Sequence, residues 1–400
     1  MNPVSARVTP FALQVLIAHP SAELYGSDRV MLESVSAMTE RGWTVVVALP
    51  TTGPLAAEIE RRGALVALCP SPVLRKAALR PVGLVRLFAL TLLAVRPGMT
   101  LLRKYRPDVV YVNTVTIPLW LVLAKLRRTP VLCHVHEAES TAPVLVRKAL
   151  AAQLLFADRI ATNSEFSTSV VSGALGRLGH KMTVVYNGVP GPDDPSPPRR
   201  TLDDPLRILY VGRLSPRKGV HVVVASLAEL ARSGTEAELD IVGDVFPGYE
   251  WVIDKLSSAI AEAGMTERVH FHGFDANVWS HLATCDIAVV PSTVDEPFGN
   301  TAVEAILALR PVVVSATSGL LEAVAGMAAT RTVEPSDPLA LAAAIKDVIE
   351  NWSDVRDQVL VDAQHAAWKH STERYRAAIA KLVAGAAPDH HAASAHGPER

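Results

Sequence analysis

The segment with the clearest chemical potential reads Glu-Pro-Phe-Gly-Asn-Thr-Ala-Val-Glu and runs from Glu296 to Glu304. It follows an apolar stretch typical of a strand, and a helix is predicted over residues 301–309. Gly299 and Asn300 would then lie at the amino end of that helix, where free N–H groups and the helix dipole favour an anion such as phosphate. Glu304, about one turn inside the helix, is placed to accept hydrogen bonds from sugar hydroxyls. Taken alone, two spaced glutamates are more often a cap and a solvated face.

A second segment, from Val211 to Gly219, reads Val-Gly-Arg-Leu-Ser-Pro-Arg-Lys-Gly and follows another predicted strand. Gly212 permits a tight turn, and Arg213 and Lys218 supply two cations five positions apart. Arginine pairs with phosphate oxygens through a fork of N–H groups, whereas lysine acts as a point charge. A solvated basic turn is the ordinary explanation of such a loop. Because both segments follow strands at one predicted sheet edge, an anion site becomes the stronger interpretation.

This combination resembles the retaining GT-B glycosyltransferases of family 4. The likeness covers roughly residues 11–385, and the basic loop together with the spacing of the two glutamates is its most specific part. Three further segments match the same family: Tyr25-Gly-Ser-Asp-Arg-Val, Val184-Val-Tyr-Asn-Gly-Val and Pro291-Ser. The resemblance implies transfer of a sugar from a nucleotide-diphosphate donor to an acceptor hydroxyl, with the anomeric configuration retained.

The resemblance also implies a role for each matching residue. Arg213 and Lys218 would hold the donor diphosphate and stabilise the charge on the leaving phosphate. Glu296 would contact the transferred sugar, and His136 matches a histidine that the family places near that sugar. No metal or other cofactor is implied, so the electrostatic stabilisation would come from the two cations and a helix amino terminus. The remaining donor-binding candidates are Gly26, Gly212, Gly273, Phe274, Phe298, Gly299, Asn300, Thr301 and Glu304.

Two other classes of function remain open from the residues. One is a nucleotide-sugar 2-epimerase, which shares the fold and needs no acceptor. The other is a catalytically silent subunit that only binds a sugar nucleotide. A zinc site is less favoured, because histidines at every second position of a strand are more often structural or cleft residues than ligands. The four histidines concerned are His134, His136, His270 and His272.

Short apolar strands alternate with longer helical patterns along the chain, which predicts α/β architecture with parallel sheets. Six strands are predicted in each half, and the sequence between the halves is rich in Pro, Gly and Asp. The prediction is a GT-B fold of two Rossmann-like domains facing a central cleft. Its parts are an acceptor-side domain (1–186), a linker (187–204), a nucleotide-sugar-binding domain (205–370), a helix that packs back on the first domain (371–386) and a disordered tail (388–400).

The composition limits the classes of binding partner and the cell compartment that the sequence supports. The 400 residues hold 39 basic and 40 acidic side chains, which argues against a general nucleic-acid binder. Three cysteines without a CxxC pair fit a reducing cytoplasm better than a disulfide framework. No signal peptide or membrane span is predicted, since the apolar stretch from Leu87 to Val95 is shorter than the roughly 20 residues that a span needs.

One region nevertheless concentrates positive charge. Between residues 75 and 106 there are eight basic residues and no acidic one. Such a region offers a surface to anionic lipid, although a solvated pair of helices explains it nearly as well. The sequence therefore predicts a cytoplasmic protein with a glycan or lipid-linked acceptor, and the basic region adds the hypothesis that it binds peripherally to the inner face of the cell membrane. The basic residues are Arg75, Lys76, Arg80, Arg86, Arg96, Arg103, Lys104 and Arg106.

Overall fold

A computed structural model describes residues 12–74, 81–138, 140–246 and 248–388. The predicted tail therefore lies outside the described residues, apart from its first residue. Two parallel sheets follow one another along the chain, and the interdomain segment between Val184 and Leu206 contains no helix or strand.

The first sheet has seven parallel strands in the order β3-β2-β1-β4-β5-β6-β7. Its central strands are short runs of Val, Ile and Leu that are buried along nearly their whole length, as expected of a sheet covered by helices on both faces. The strands are β1 Gln14–Ala18, β2 Thr44–Leu49, β3 Leu65–Leu68, β4 Val109–Val112, β5 Val131–Val135, β6 Arg159–Thr162 and β7 Met182–Val184.

The second sheet has six parallel strands in the order β10-β9-β8-β11-β12-β13. The strand order reverses beside β8, as it does beside β1 in the first sheet, which creates a crevice at the carboxyl edge of each. The predicted α/β class with two Rossmann-like sheets is confirmed. The strands are β8 Leu206–Val211, β9 Ala237–Val242, β10 Val269–Gly273, β11 Ile287–Val290, β12 Val312–Ser315 and β13 Arg331–Val333.

Helices connect the strands and cover both faces of each sheet. In the first domain they are α1 Gly26–Thr39, α2 Pro54–Arg61, α3 Pro81–Tyr105, α4 Pro118–Leu126, α5 Val144–Ala152 and α6 Glu165–Ala174. The second domain holds α7 Val220–Arg232, α8 Trp251–Glu262, α9 Val278–Thr284, α10 Asn300–Leu307, α11 Ser318–Ala323, α12 Pro338–Glu350 and α13 Trp352–Lys369.

The last helix, α14 Thr372–Ala386, returns to the first domain. Its Tyr375, Ile379 and Val383 are buried in the same apolar cluster as Val15 and Val45 of the first sheet. The Tyr375 hydroxyl also lies 2.6 Å from Ser34 Oγ on α1. The end of the chain therefore contributes to the core of the amino-terminal domain.

Two elements differ from the sequence analysis. Strand β3 was not predicted, because Leu65–Leu68 is a short edge strand defined by pairing with β2 rather than by its local pattern. The prediction that no segment reaches the length of a membrane span is wrong for α3. Among the described residues, its Val82–Tyr105 portion is long and apolar enough to cross a membrane by length and composition.

Candidate active site

A cavity of about 290 Å³ lies between the carboxyl edges of the two sheets. Each predicted catalytic residue, Arg213, Lys218, Glu296 and His136, lines it. Gly273 does not: it ends β10, and its carbonyl accepts a hydrogen bond of 2.7 Å from the Gly243 N–H. The predicted donor-binding residues that line the cavity are Gly26, Gly212, Phe274, Phe298, Gly299, Asn300, Thr301 and Glu304.

Lys218 and Glu296 form an ion pair on the carboxy-terminal side of the cavity. The Lys218 ammonium donates to a Glu296 carboxylate oxygen at 2.9 Å, and the Ser292 hydroxyl donates to the other oxygen at 2.8 Å. The loop of Lys218 is fixed by Gly219, whose φ is +74° and where a Cβ would lie 1.8 Å from the Pro291 carbonyl oxygen. Only glycine fits this position, so the basic loop packs directly on the loop that follows β11.

The amino end of α10 points at the same cavity. Gly299 precedes the helix with a φ of +153°, and a Cβ there would lie 2.5 Å from Leu320 Cδ2. The glycine therefore allows the chain to enter α10 close to α11, with Asn300 and Thr301 as the first helical residues. The Asn300 amide bridges the two domains, because it accepts from Asn187 at 2.8 Å and donates to the Gly26 carbonyl at 3.4 Å.

Glu304 is buried and paired with a residue of the other domain. Arg29 of α1 lies 3.3 Å from the Glu304 carboxylate and donates a second hydrogen bond of 2.9 Å to the Ala276 carbonyl. Burial raises the pKa of Glu304, and the neighbouring guanidinium opposes that rise. In this structure the Arg29 guanidinium thus pairs with the carboxylate that the sequence analysis assigned to sugar hydroxyls.

Arg213 lies between two aromatic rings rather than against a carboxylate. Its guanidinium carbon is 3.4 Å from the centre of the Phe246 ring and 4.4 Å from that of Tyr25. Its Nε is buried and has no hydrogen-bond partner among the described residues. Burial lowers the pKa of Arg213. A desolvated guanidinium with an unpaired N–H at the cavity wall is suited to bind an anion.

On the amino-terminal side, a chain of buried hydrogen bonds ends at His136. The Asp28 carboxylate lies 2.8 Å from His19 Nε2, the Asn113 amide nitrogen 3.1 Å from His19 Nδ1, and the Asn113 oxygen 3.0 Å from His136 Nε2. Complementary donors and acceptors put the proton of both histidines on Nε2, which leaves His136 Nδ1 as an acceptor. Burial, together with His19, lowers the pKa of His136 to about 3, so the ring is neutral.

The other histidines that the sequence analysis weighed as zinc ligands have protein partners. His134 lies 2.7 Å from the Tyr111 hydroxyl, and His272 lies 2.6 Å from an Asp240 carboxylate oxygen. His270 lies 3.8 Å from Glu238. Within the part of the chain that the structure describes, no group of three or more His, Cys, Asp or Glu side chains is placed to hold a metal ion.

Sequence reasoning missed several residues that line the cavity or support its lining. Tyr25 and Arg29 flank Gly26 in the segment that carried the family resemblance, so that segment was the available signal. Asn113 had no such signal, because it follows β4 without a motif and reaches His136 only through the fold. Asn187 was placed at the start of the linker but not assigned to the site, and its hydrogen bond to Asn300 depends on the approach of the two domains.

The two facing Rossmann-like sheets and the anion-binding features at their shared cleft define the GT-B class of protein. The family profile described as "Glycosyltransferase Family 4" matches residues 25–191, and that described as "Glycosyl transferases group 1" matches residues 196–363. Together the two profiles account for more than four fifths of the chain. The chain belongs to this family of glycosyltransferases, as the sequence analysis predicted.

Individual relatives agree with this assignment. A glycogen synthase of Mycobacterium tuberculosis is 30% identical over 264 residues, which are 62% of this chain and 62% of that protein. The matched part thus spans less than two thirds of that relative. A 2-deoxystreptamine glucosyltransferase of Streptomyces kanamyceticus is 33% identical over 144 residues, which are 36% of each chain. The Anabaena protein HepE, solved with UDP and glucose, shares the fold with a TM-score of 0.77 at 21% identity, covering 93% of this chain and 99% of that one.

Proposed function

We propose that this protein is a retaining glycosyltransferase that moves a sugar from a nucleoside-diphosphate-sugar donor to an acceptor hydroxyl. The bond between the anomeric carbon and the β-phosphate oxygen breaks, and the nucleoside diphosphate leaves. The acceptor oxygen bonds to the anomeric carbon on the same face, and its proton passes to the departing phosphate oxygen. The same-face route accounts for retention without a covalent intermediate.

Four side chains of the cavity have a task in this scheme. Arg213 and Lys218 pair with the diphosphate as negative charge develops on it, and the amino end of α10 adds N–H groups and a favourable dipole. Glu296 holds Lys218 in place and accepts from hydroxyls of the transferred sugar. Neutral His136 presents an acceptor nitrogen to the sugar from the opposite wall.

One observation carries the proposal: the buried, unpaired Nε of Arg213 lies in the same cavity as Lys218 and the start of α10. A desolvated donor without a partner is costly in a folded protein unless a ligand satisfies it. Three independent anion-binding features at one point fit a diphosphate better than a neutral ligand. Glu304, which lines the same cavity, supplies the acceptor for ribose hydroxyls once Arg29 moves away.

Thermal unfolding with UDP, GDP, dTDP and ADP, each alone and as a sugar conjugate, tests the donor class. A ligand at about 100 times its Kd adds about 2.7 kcal/mol to the free energy of unfolding, which is readily measured. We expect one nucleotide to stabilise the protein selectively. The stabilisation should be lost in Glu304→Ala and kept in the matched control Glu262→Ala, which changes an exposed glutamate at the end of α8.

Product analysis then separates the transferase from its rivals. Incubation of the stabilising nucleotide sugar with a mixture of candidate acceptors should release nucleoside diphosphate and yield a glycoside of retained configuration. An epimerised nucleotide sugar formed without acceptor would instead identify a 2-epimerase. Binding without turnover under any acceptor would identify a silent binding subunit. No stabilisation by any of the nucleotides would contradict the proposed donor class.

We further propose that the acceptor is a lipid-linked or cell-envelope glycan and that the protein works in the cytoplasm at the inner face of the membrane. The support is the run of eight basic residues without an acidic one between 75 and 106. Three of these residues, Arg75, Lys76 and Arg80, lie outside the described residues. Turnover with a lipid-linked oligosaccharide but not with the free oligosaccharide would support this acceptor, and the reverse preference would contradict it.

A further inference from the structure

Helix α3 is apolar on its outward face as well as on the face that packs against the protein. Positions that pack on the protein recur every three or four residues and include small residues, Ala94 and Gly98. The outward positions are instead large and apolar: Val85 is 71% exposed, Phe88 65% and Leu93 72%. A surface helix of a soluble protein normally turns its apolar stripe inward and its polar residues outward. A contiguous apolar face of this kind marks a site that another surface covers.

The fully buried residues of α3, among those that the structure describes, lie in its carboxyl half. Leu102 is buried, and a Cβ at Gly98 would lie 2.5 Å from Leu123 Cδ1 of α4, so the two helices are in close contact there. The amino half carries the exposed apolar residues, and the Thr91 hydroxyl bonds the Leu87 carbonyl of its own helix at 2.7 Å. That internal bond satisfies a polar group which would otherwise oppose an apolar environment.

All the charged side chains of α3 are basic. Arg86 and Arg96 are exposed and flank the apolar residues, and the sequence from 75 to 106 contains no acidic residue. An apolar face flanked by arginines is complementary to a layer of apolar chains under anionic headgroups. If a second copy of this chain covered the face, the arginines of the two copies would repel one another. The charge therefore favours an anionic surface over a second copy.

The topology places the apolar half of α3 beside the cleft. Strands β3 and β4 are parallel, so the helix between them runs the other way and begins at the carboxyl edge of the sheet. Helix α5 also begins at this edge, and residues of α3 and α5 are buried in one cluster, which puts both helices on the same face of the sheet. At the start of α5, Val144 is 55% and Leu145 80% exposed, with Lys148 exposed nearby.

We infer that the amino half of α3, together with Val144 and Leu145, docks into the interface of an anionic bilayer and holds the acceptor side of the cleft against it. The helix lies in the interface rather than crossing the bilayer, because its carboxyl half is packed on α4. Such a surface deepens the proposed function by naming where a lipid-borne acceptor would arrive. Vesicle binding requires neither donor nor turnover, so it succeeds or fails independently of glycosyl transfer.

Flotation of the full chain with vesicles tests this inference. We expect at least about tenfold tighter binding to phosphatidylglycerol–phosphatidylcholine vesicles than to phosphatidylcholine alone, weakening as salt is added. The double variant Phe88→Ser/Leu93→Ser should lose at least about tenfold of this affinity. The matched control Leu339→Ser/Val361→Ser changes two similarly exposed apolar residues of the other domain, at 62% and 57%, and should bind as the wild type does.

Four results would overturn the inference. They are no binding to anionic vesicles at low salt, equal binding by the Phe88→Ser/Leu93→Ser variant, retention in the membrane after alkaline carbonate extraction, and a wild-type dimer that this variant converts to monomer. Retention would identify a spanning helix, and the change of oligomeric state would identify a face covered by a second copy. Circular dichroism and the thermal unfolding temperature without ligand establish that each variant is folded before it is scored.

Discussion

The two walls of the cleft, one formed by each domain, present different groups to the cavity. The carboxy-terminal wall keeps charged side chains, Lys218 with Glu296 and Arg213 between two rings, at positions open to the cavity. The amino-terminal wall holds His136 neutral at the end of a buried hydrogen-bond chain. A wall that receives a diphosphate needs cations able to exchange partners, whereas a wall that receives a neutral sugar needs fixed donors and acceptors. The comparison teaches that the cations proposed to bind the diphosphate, Arg213 and Lys218, lie on one wall, whereas the opposite wall offers the neutral ring of His136 and turns its Arg29 to Glu304 across the cleft.

The largest expected effect comes from removing a cation of the charged wall. Lys218→Ala should lower kcat by about 100-fold or more, comparable with the loss of one preorganised donor to developing negative charge. The matched control, Lys255→Ala, removes a lysine that lies over the Trp251 ring on α8. Steady-state kinetics on both folded variants checks the prediction. A kcat near that of the wild type in Lys218→Ala would remove Lys218 from the proposed mechanism.

The neutral wall predicts a dependence of stability on pH. The pKa of His136 is about 3 in the fold against about 6.5 when unfolded, so unfolding takes up a proton between these values and stability is lost as pH falls through this window. The free energy of unfolding should fall by up to about 1.4 kcal/mol per pH unit for this group. Denaturant titrations from pH 7 to 4 measure how steeply the free energy of unfolding falls with pH. This fall should be less steep in His136→Asn than in the wild type. His180→Asn, an exposed control, should keep the wild-type slope.

Asn113 tests whether the buried chain sets the orientation of His136. In Asn113→Ala both histidines lose a hydrogen-bond partner, a cost of about 1–3 kcal/mol for buried groups. We expect kcat to fall about tenfold with little change in nucleotide affinity, since the donor nucleotide binds the other wall. The control Asn351→Ala removes an exposed asparagine of the second domain. Equal losses of kcat and nucleotide affinity would indicate general disruption instead.

The smallest effect concerns the contact between the walls. Arg29→Ala frees the Glu304 carboxylate, and a partly exposed ion pair is worth about 0.2–1 kcal/mol. We therefore expect nucleotide binding to become up to about fivefold tighter, measured by calorimetry. Arg232→Ala, which breaks an exposed pair with Glu229, is the control. Weaker binding in Arg29→Ala would mean that Arg29 contacts the nucleotide itself.

Local sequence was sufficient for much of the fold and of the charged wall. Continuous apolar runs predicted strands on both sides of a Pro-rich segment, and the two motifs placed Arg213, Lys218, Glu296 and Glu304 at one sheet edge. This worked because the carboxyl ends of parallel strands meet at the same edge, so a motif that follows a strand is positioned by it. The β3 strand and the full length of α3 were not predicted from the sequence, because strand pairing and helix packing define them rather than a local residue pattern.

The chain itself thus determined the architecture, the family and the residue types of the anion site, since each depends on periodicity or on short spacings. Tertiary structure alone decided the contacts between residues distant in sequence: Arg29 with Glu304, Tyr25 with Arg213, and Asn113 with His136. It also decided which face of α3 turns outward. Such facts depend on how two domains and their helices approach one another, and no local pattern encodes the energy of that approach.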